Sequence, residues 1–406
     1  MQPRSAEVGL ALAGGGPLGI TYEIGAVNAL AEALDGVDFA RLGVYVGVSA
    51  GSAVASGLAN GISPREICRV FVEGEAPGEG VEAFDPAMLL QPSIGEYFHR
   101  LAIIPGAVGH AVRAFWADPV DSGWGAAFAR FGQLVPTGLF DSSNIDRFLR
   151  SLFDMPGRTN DFRELSSKLI LVATDLDSGL AVEFGTNEFD YVPISRAVQA
   201  SAALPLLFPP VRIAGRDYVD GALTKTMHAS GAYHAGARLV FGINPLVPYN
   251  ADAGFASGHP HRALRPGGLP LVLSQTFRAL IHSRMSASSA HYARDFPGLD
   301  FVLFEPDRSD VEMFFTNIFS YGSRRRLCEH AYQKTRVDLL ARSKALAPVL
   351  ARHGIGLRLD VLRDREMTLV PARPSHRRSA PPVVHELEST LDSLADWLRA
   401  RPVPTT

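Results

Sequence analysis

The chain has 406 residues, enough for one large domain or two to three smaller ones. Hydrophobic residues make up 47 % and charged residues 20 %, an ordinary soluble composition that excludes wholesale disorder and a collagen-like repeat. Its 39 Lys and Arg against 42 Asp and Glu leave a formal charge of -3, too balanced to draw the whole molecule onto nucleic acid or acidic lipid.

Cys68 and Cys328 cannot build a multi-bridge framework and do not show metal-ligand spacing, so a reducing compartment is expected. Residues 1–7 lack the basic start and apolar stretch of a signal peptide. No apolar run reaches the roughly 18 residues needed to cross a bilayer. The expectation is a soluble, cytoplasmic protein whose membrane contact, if it makes any, is peripheral.

In chain order, residues 8–13 are almost wholly apolar and read as a strand buried on both faces, which implies a parallel sheet. Residues 22–34 place Ile24, Val27, Ala31 and Leu34 at helical intervals. Residues 44–48 read as a second strand, and 52–59 as a small-residue helix ending near Asn60-Gly61. Strand, helix, strand, helix points to α/β architecture. Glycine, proline and aromatics interleave over residues 72–135, expected to form a helical insertion over the sheet, either a plain layer or a lid. Residues 169–174, 181–184 and 238–244 read as further interior strands.

Residues 251–268 read as a loop, 271–293 as a helix and 301–304 as a late strand. A Pro- and Arg-rich linker over 371–382 precedes an expected amphipathic helix at 385–399, with Leu387, Leu391, Leu394 and Leu398 on one face. The division expected is a catalytic domain over 1–250, a helical extension with the late strand over 251–350, and linker plus terminal helix over 351–406.

Three motifs carry chemistry. Gly14-Gly15-Gly16-Pro17-Leu18-Gly19 lies between strand and helix, where glycines let main-chain N–H groups converge on an anion. It also satisfies the dinucleotide fingerprint, but the second strand ends in Gly47-Val48-Ser49 and not in the acidic residue that would hold a ribose. No Gly-Lys-Ser/Thr follows, so a P-loop fails as well. Gly47-Val48-Ser49-Ala50-Gly51 is G-x-S-x-G, the nucleophile elbow; the bland alternative is a tight turn with Ser49 as an N-cap. Tyr218-Val219-Asp220-Gly221-Ala222 supplies a carboxylate at a turn, although Asp-Gly alone is an ordinary hairpin signal. After Asp220, His228, His234, His282, His291 and His330 could complete a triad, but none has a specific setting. The elbow also follows only one strand, too early for an α/β-hydrolase.

Together with Ala200-Ser201-Ala202-Ala203-Leu204-Pro205, Phe208-Pro209-Pro210-Val211 and Val172-Ala173-Thr174-Asp175-Leu176, these motifs resemble the patatin-like phospholipase family over roughly residues 8–244. The resemblance implies a three-layer α/β/α fold with a mostly parallel sheet, a helical insertion and a C-terminal helical extension. It implies a Ser49-Asp220 dyad in place of a triad, with an oxyanion hole from Gly14, Gly15 and Gly16, and a structural role for Asp175. The chain departs from many relatives, which carry Arg or Lys where it has Leu18.

The implied activity is hydrolysis of lipid carboxylic esters, of phospholipase A or lysophospholipase type, through an acyl-enzyme and with no metal or organic cofactor. Alternatives are an esterase, thioesterase, polyester depolymerase or acyltransferase on another acyl substrate, and, from a different class, a non-catalytic lipid- or protein-binding member of the fold. The expected partner is a lipid or other acyl ester and not nucleic acid; the oligomeric state stays open. Phe98, Ile103, Phe115, Trp116 and Phe140 are candidate walls of an acyl cleft, or simply core.

Overall fold

The computed structural model describes residues 4–78, 80–91, 137–186, 188–256, 268–315 and 321–371. The chain divides into two compact units, Met1–Val370 and Pro371–Thr406. The helix expected at 385–399 and the insertion from residue 92 to 135 lie outside the described residues, as do Phe98, Ile103, Phe115 and Trp116. From 72 to 91 the described chain is loop, apart from a 3-10 helix at Pro86–Leu90.

The strands are β1 (Val8–Leu12), β2 (Leu34–Asp35), β3 (Val44–Val48), β4 (Lys168–Asp175), β5 (Ala181–Phe184), β6 (Val211–Ile213), β7 (Arg216–Asp220), β8 (Leu239–Ile243), β9 (Asp300–Phe304) and β10 (Gly356–Leu357). Eight form the main sheet, paired in the order β6-β7-β4-β3-β1-β8-β9 with β5 also on β4. β2 and β10 make a small antiparallel ribbon. The pairs from β4 through β3, β1 and β8 to β9 are all parallel, whereas β5 and β7 run antiparallel to β4.

Alternate residues of the parallel strands enter two separate cores, as the two-residue period of a strand requires. Leu10, Leu12, Tyr45, Leu171 and Phe241 face one side. There they meet helices α1 (Gly16–Ala33), α2 (Ala50–Ala59) and α3 (Pro64–Phe71), with Tyr321–Ala341 packed along α1. Ala11, Val46, Val48, Ile170, Val172 and Val240 face the other, beneath the helices Ala229–His234 and Gly268–Asp295. The result is a three-layer α/β/α arrangement around a mixed, mostly parallel sheet. No helix among the described residues is long and apolar enough to cross a membrane.

Several expectations change. α1 starts at Gly16, six residues before the periodic stretch, because Pro17 fits a first helical turn; Leu34 belongs to β2. β5 is not interior: among the described residues its only strand partner is β4, and three of its four residues are half-buried. The loop expected from 251 opens with a short helix, Ala251–Ala256. The late strand expected at 301–304 forms as β9, paired with β8 from Leu239↔Asp300 to Ile243↔Phe304.

Candidate active site

The parallel strands end on one side of the sheet, where open α/β folds place their ligands. β3 delivers Ser49 there. Ser49 has φ 52° and ψ -121°; among described non-glycine residues only Leu206 and Ala214 also have a positive φ. Such a backbone costs on the order of 1–3 kcal/mol and persists only where its surroundings impose it. Gly51 makes the turn feasible: a Cβ there would lie 2.7 Å from both Cβ and the carbonyl oxygen of Leu12, so α2 could not approach β1. The Ser49 amide donates to Ser201 Oγ at 2.8 Å, and that hydroxyl donates to the Val172 carbonyl at 2.6 Å. Ser52 holds the Ser49 carbonyl through its amide at 3.0 Å and its hydroxyl.

The Ser49 hydroxyl does not cap α2. It donates to Asp220 Oδ2 at 2.5 Å, across 171 positions of chain. The sheet register explains the meeting. β4 has two edges, and β5 overlaps both β3 and β7 along it, so β3 and β7 share the opposite edge end to end. The last residue of β3, Val48, faces Val172, while the last of β7, Asp220, faces the next residue, Ala173. Two chains arriving head-on at adjacent positions bring Asp220 and the residue after Val48, Ser49, together.

Asp220 is fixed on every side. Its Oδ1 accepts from the Ala222 amide at 2.8 Å, its amide donates to the Ala203 carbonyl at 3.0 Å, and its carbonyl accepts from Thr174 Oγ1 at 3.0 Å. The side chain is buried, 2 % exposed. Burial pushes its pKa from 3.8 up to about 6, against the opposing hydrogen bonds from Ser49 and Ala222. The carboxylate is therefore about a hundredfold more basic than an ordinary aspartate while still mostly charged at neutral pH.

Gly14 lies against the pair: a Cβ on it would stand 2.9 Å from Ala222 Cβ and 3.2 Å from Ser49 Cβ. Its amide donates to the Thr226 carbonyl at 3.2 Å. Gly15 is the N-cap of α1 and Gly16, at φ 57°, its first residue, so their N–H groups belong to the unpaired start of a helix. Leu18 packs half-buried against the core, and the first turn of α1 carries no charged side chain.

No described histidine bonds to Ser49 or Asp220. His228 faces Glu183 at 2.5 Å, His330 faces Asp310 at 2.7 Å, and His234 lies against the ring of Phe296; the side chain of His291 lies outside the described residues. Asp175 pairs with Arg216 and accepts from the amides of Asp177 at 2.9 Å and Ser178 at 3.3 Å, away from Ser49. Phe140 is half-buried beside Leu207. Among the described residues no group of three or more His, Cys, Asp or Glu could hold a metal. Reading the sequence missed the anchoring roles of Ser201, Thr174 and Ser52; Ser201 stands in a motif that signals the family without stating its task.

The profile of the family described as patatin-like phospholipase matches residues 10–233, a stretch holding the glycine loop, Ser49 and Asp220. The chain belongs to the patatin-like phospholipase family. Among solved structures it is similar to VipD from Legionella pneumophila, with 17 % sequence identity and a TM-score of 0.32, over 80 % of this chain and 66 % of that one. The chain thus spans just under two thirds of that neighbour's length. No curated protein matches. In this patatin-like chain the family match and the paired hydroxyl and carboxylate occupy the same segment.

Proposed function

We propose that this chain is a serine lipid acyl hydrolase in which Ser49 and Asp220 act as a catalytic dyad. The observation that carries the reading is the 2.5 Å hydrogen bond from the Ser49 hydroxyl to Asp220, at an elbow whose hydroxyl has no capping duty. Asp220 Oδ2 takes the hydroxyl proton as Ser49 Oγ attacks the ester carbonyl carbon. The resulting oxyanion receives hydrogen bonds from Gly15 and Gly16 N–H and faces the positive ends of α1 and α2. The carbon–oxygen bond to the alcohol breaks, and the leaving oxygen recovers the proton from Asp220. Water then attacks the acyl-enzyme with Asp220 again as base, releasing a carboxylic acid and restoring Ser49.

A fluorophosphonate probe and a panel of lysophospholipids, phospholipids, chromogenic esters and thioesters test the assignment. Labelling and acid release are expected in the wild type and absent in Ser49→Ala. Asp220→Asn should lower kcat by about 100- to 10,000-fold, the usual weight of a general base. Folded wild-type protein that neither labels nor releases acid would instead be a non-catalytic binding member of the family.

A further inference from the structure

The chain has two cysteines, far apart in sequence, and the fold brings them together. Cys68 sits on α3 and Cys328 on the helix Tyr321–Ala341; both are fully buried and both are free thiols. Two sets of polar contacts fix how these helices lie. At the end of α3 the Phe71 carbonyl accepts from Arg324 Nη1 at 2.8 Å, and Glu73, just beyond, pairs with Arg65 at 2.9 Å and with Arg325 at 3.6 Å. Near the start of α3, Arg65 Nη1 donates to the Leu369 carbonyl at 2.8 Å, and the Leu369 amide donates to Glu329 at 2.9 Å. Phe71 is thus set beside Arg324, and Arg65 is tied to Glu329, as in an antiparallel pair. Cys68 lies midway between Arg65 and Phe71, and Cys328 falls between Arg324 and Glu329.

Both helices rest on α1. Gly25 admits the backbone of Cys328: a Cβ on that glycine would collide with the Cys328 carbonyl oxygen and stand 2.9 Å from Ala331 Cβ. One turn later, Asn28 Nδ2 donates to the carbonyl of Pro64, the first residue of α3, at 3.0 Å. The two thiols meet in the space these contacts enclose. Hydrogen bonding with Cys68 pushes the Cys328 thiol well above its ordinary pKa, and burial adds to the effect. Arg65 Nη1 stands 3.7 Å from Cys68 Sγ.

A single buried cysteine acts as a small inert hydrophobe. Two that touch, on helices held by contacts on either side of them, have a second chemistry open to them. The arrangement also joins two parts of the chain: α3 lies within the family match over residues 10–233, whereas Tyr321–Ala341 lies beyond it. A bond between the sulfurs would close a loop of most of the described chain, and long loops gain most from closure.

We propose that Cys68 and Cys328 form a redox modification site, which a peroxide converts to a disulfide that staples Tyr321–Ala341 to α3. The site does not depend on the hydrolase reading above. The Cys68 sulfur attacks one oxygen of hydrogen peroxide and the O–O bond breaks; Cys68 becomes a sulfenic acid, and the leaving hydroxide takes its proton as water. The Arg65 guanidinium faces the charge on that sulfur during the attack. The Cys328 sulfur then attacks Cys68 Sγ, the S–O bond breaks, and the hydroxyl leaves with the Cys328 proton as a second water. Two thiols lose two hydrogens and two electrons, and one peroxide is reduced to two waters. The oxidant must be small and uncharged, because neither sulfur is exposed, and a protonated, buried pair reacts slowly. Under reducing conditions the pair stays a dithiol.

The full wild-type chain, folded at neutral pH, is treated with hydrogen peroxide, alkylated in denaturant and digested without reductant. Mass spectrometry should find the peptides carrying Cys68 and Cys328 linked to each other, and dithiothreitol added to the denatured digest should separate them. Peroxide also oxidises methionines, so the stability effect is read as the shift in Tm of the wild type minus that of Cys328→Ala under the same treatment. The expected difference is a rise of about 5 °C. Cys68→Ala gives the same comparison if Cys328→Ala does not fold, and the peptide map needs no variant. Recovery of both cysteines in alkylated form would overturn the proposal. So would Cys68 carried on to sulfinic or sulfonic acid beside a free Cys328, or a cross-link that leaves Tm unchanged or lower.

Discussion

The amide of Ser49 is held by a hydroxyl 152 positions away, that of Ser201, which in turn spends its proton on the Val172 carbonyl. Ser201 is fully buried, so water has no route to replace it. Removing the hydroxyl in Ser201→Ala leaves a buried N–H and a buried carbonyl unpaired, at a cost of about 1–3 kcal/mol. It also releases the strained elbow. The expected outcome is a lower Tm and a kcat reduced by about 10- to 100-fold, with KM close to that of the wild type, because small displacements of a reacting atom are expensive. Steady-state kinetics on a soluble ester check it; wild-type kcat in Ser201→Ala would show that this hydroxyl does not position Ser49.

Asp220 predicts a pH profile. As the proposed base it must be ionised, and burial sets its pKa at about 6. kcat/KM should therefore rise about tenfold per pH unit below 6 and level off above it. The stability consequence has the opposite sign. A carboxyl whose native pKa exceeds its unfolded value binds protons more tightly when folded, so its contribution is fully present below about 3.8 and is lost as pH rises through 6. Two pKa units correspond to roughly 3 kcal/mol. Asp220→Asn removes that penalty, so the inactive variant should melt above the wild type at pH 7 and lose this advantage near pH 4. A flat activity profile from pH 5 to 8, or a destabilised Asp220→Asn at neutral pH, would count against the assigned environment.

What the sequence made legible follows the range of the interactions. Ser49 was readable because its glycines, its strand and its small-residue helix are contiguous, and the turn that strains it is local. Asp220 needed the family resemblance, since Asp-Gly is an ordinary turn until the register of β4 sets β7 against the end of β3. Ser201 and Thr174 were invisible as anchors because their partners, the Ser49 amide and the Asp220 carbonyl, are main-chain atoms 152 and 46 positions distant. The commitment of the Gly14 amide to Thr226 belongs to the same class. α1 hid its true start because its first turn, Gly16-Pro17-Leu18-Gly19, carries the glycines and proline that signal a loop.

Asp175 offers a contrast with Asp220, one motif apart and equally buried. Burial alone would raise its pKa, but Arg216 and the amides of Asp177 and Ser178 hold it below the ordinary carboxylate value. It is a tie at the end of β4 and not a base. Asp175→Ala should cost about 2 kcal/mol, discounted because Arg216 is largely in water, and should lower Tm. Activity per folded molecule, titrated with the fluorophosphonate probe, should stay within several-fold of the wild type. Loss of turnover as deep as that of Asp220→Asn, in protein that remains folded, would place Asp175 in the reaction.

Gly14 and Gly16 separate space from hydrogen bonding in the glycine loop. A methyl on Gly14 meets Ala222 at 2.9 Å and Ser49 at 3.2 Å, whereas a methyl on Gly16 meets nothing within 4 Å and suffers only the positive φ of 57°. Gly16→Ala retains the N–H and should cost about 1–2 kcal/mol of stability, with kcat reduced only several-fold. Gly14→Ala wedges the serine from the turn that carries Asp220 and should lower kcat by about 100-fold. The rate of fluorophosphonate labelling and the kcat for a soluble ester read both effects. The reverse ranking, with Gly16→Ala the more damaged and both proteins folded, would mean that backbone freedom at Gly16 matters more to the reaction than clearance beside Ser49.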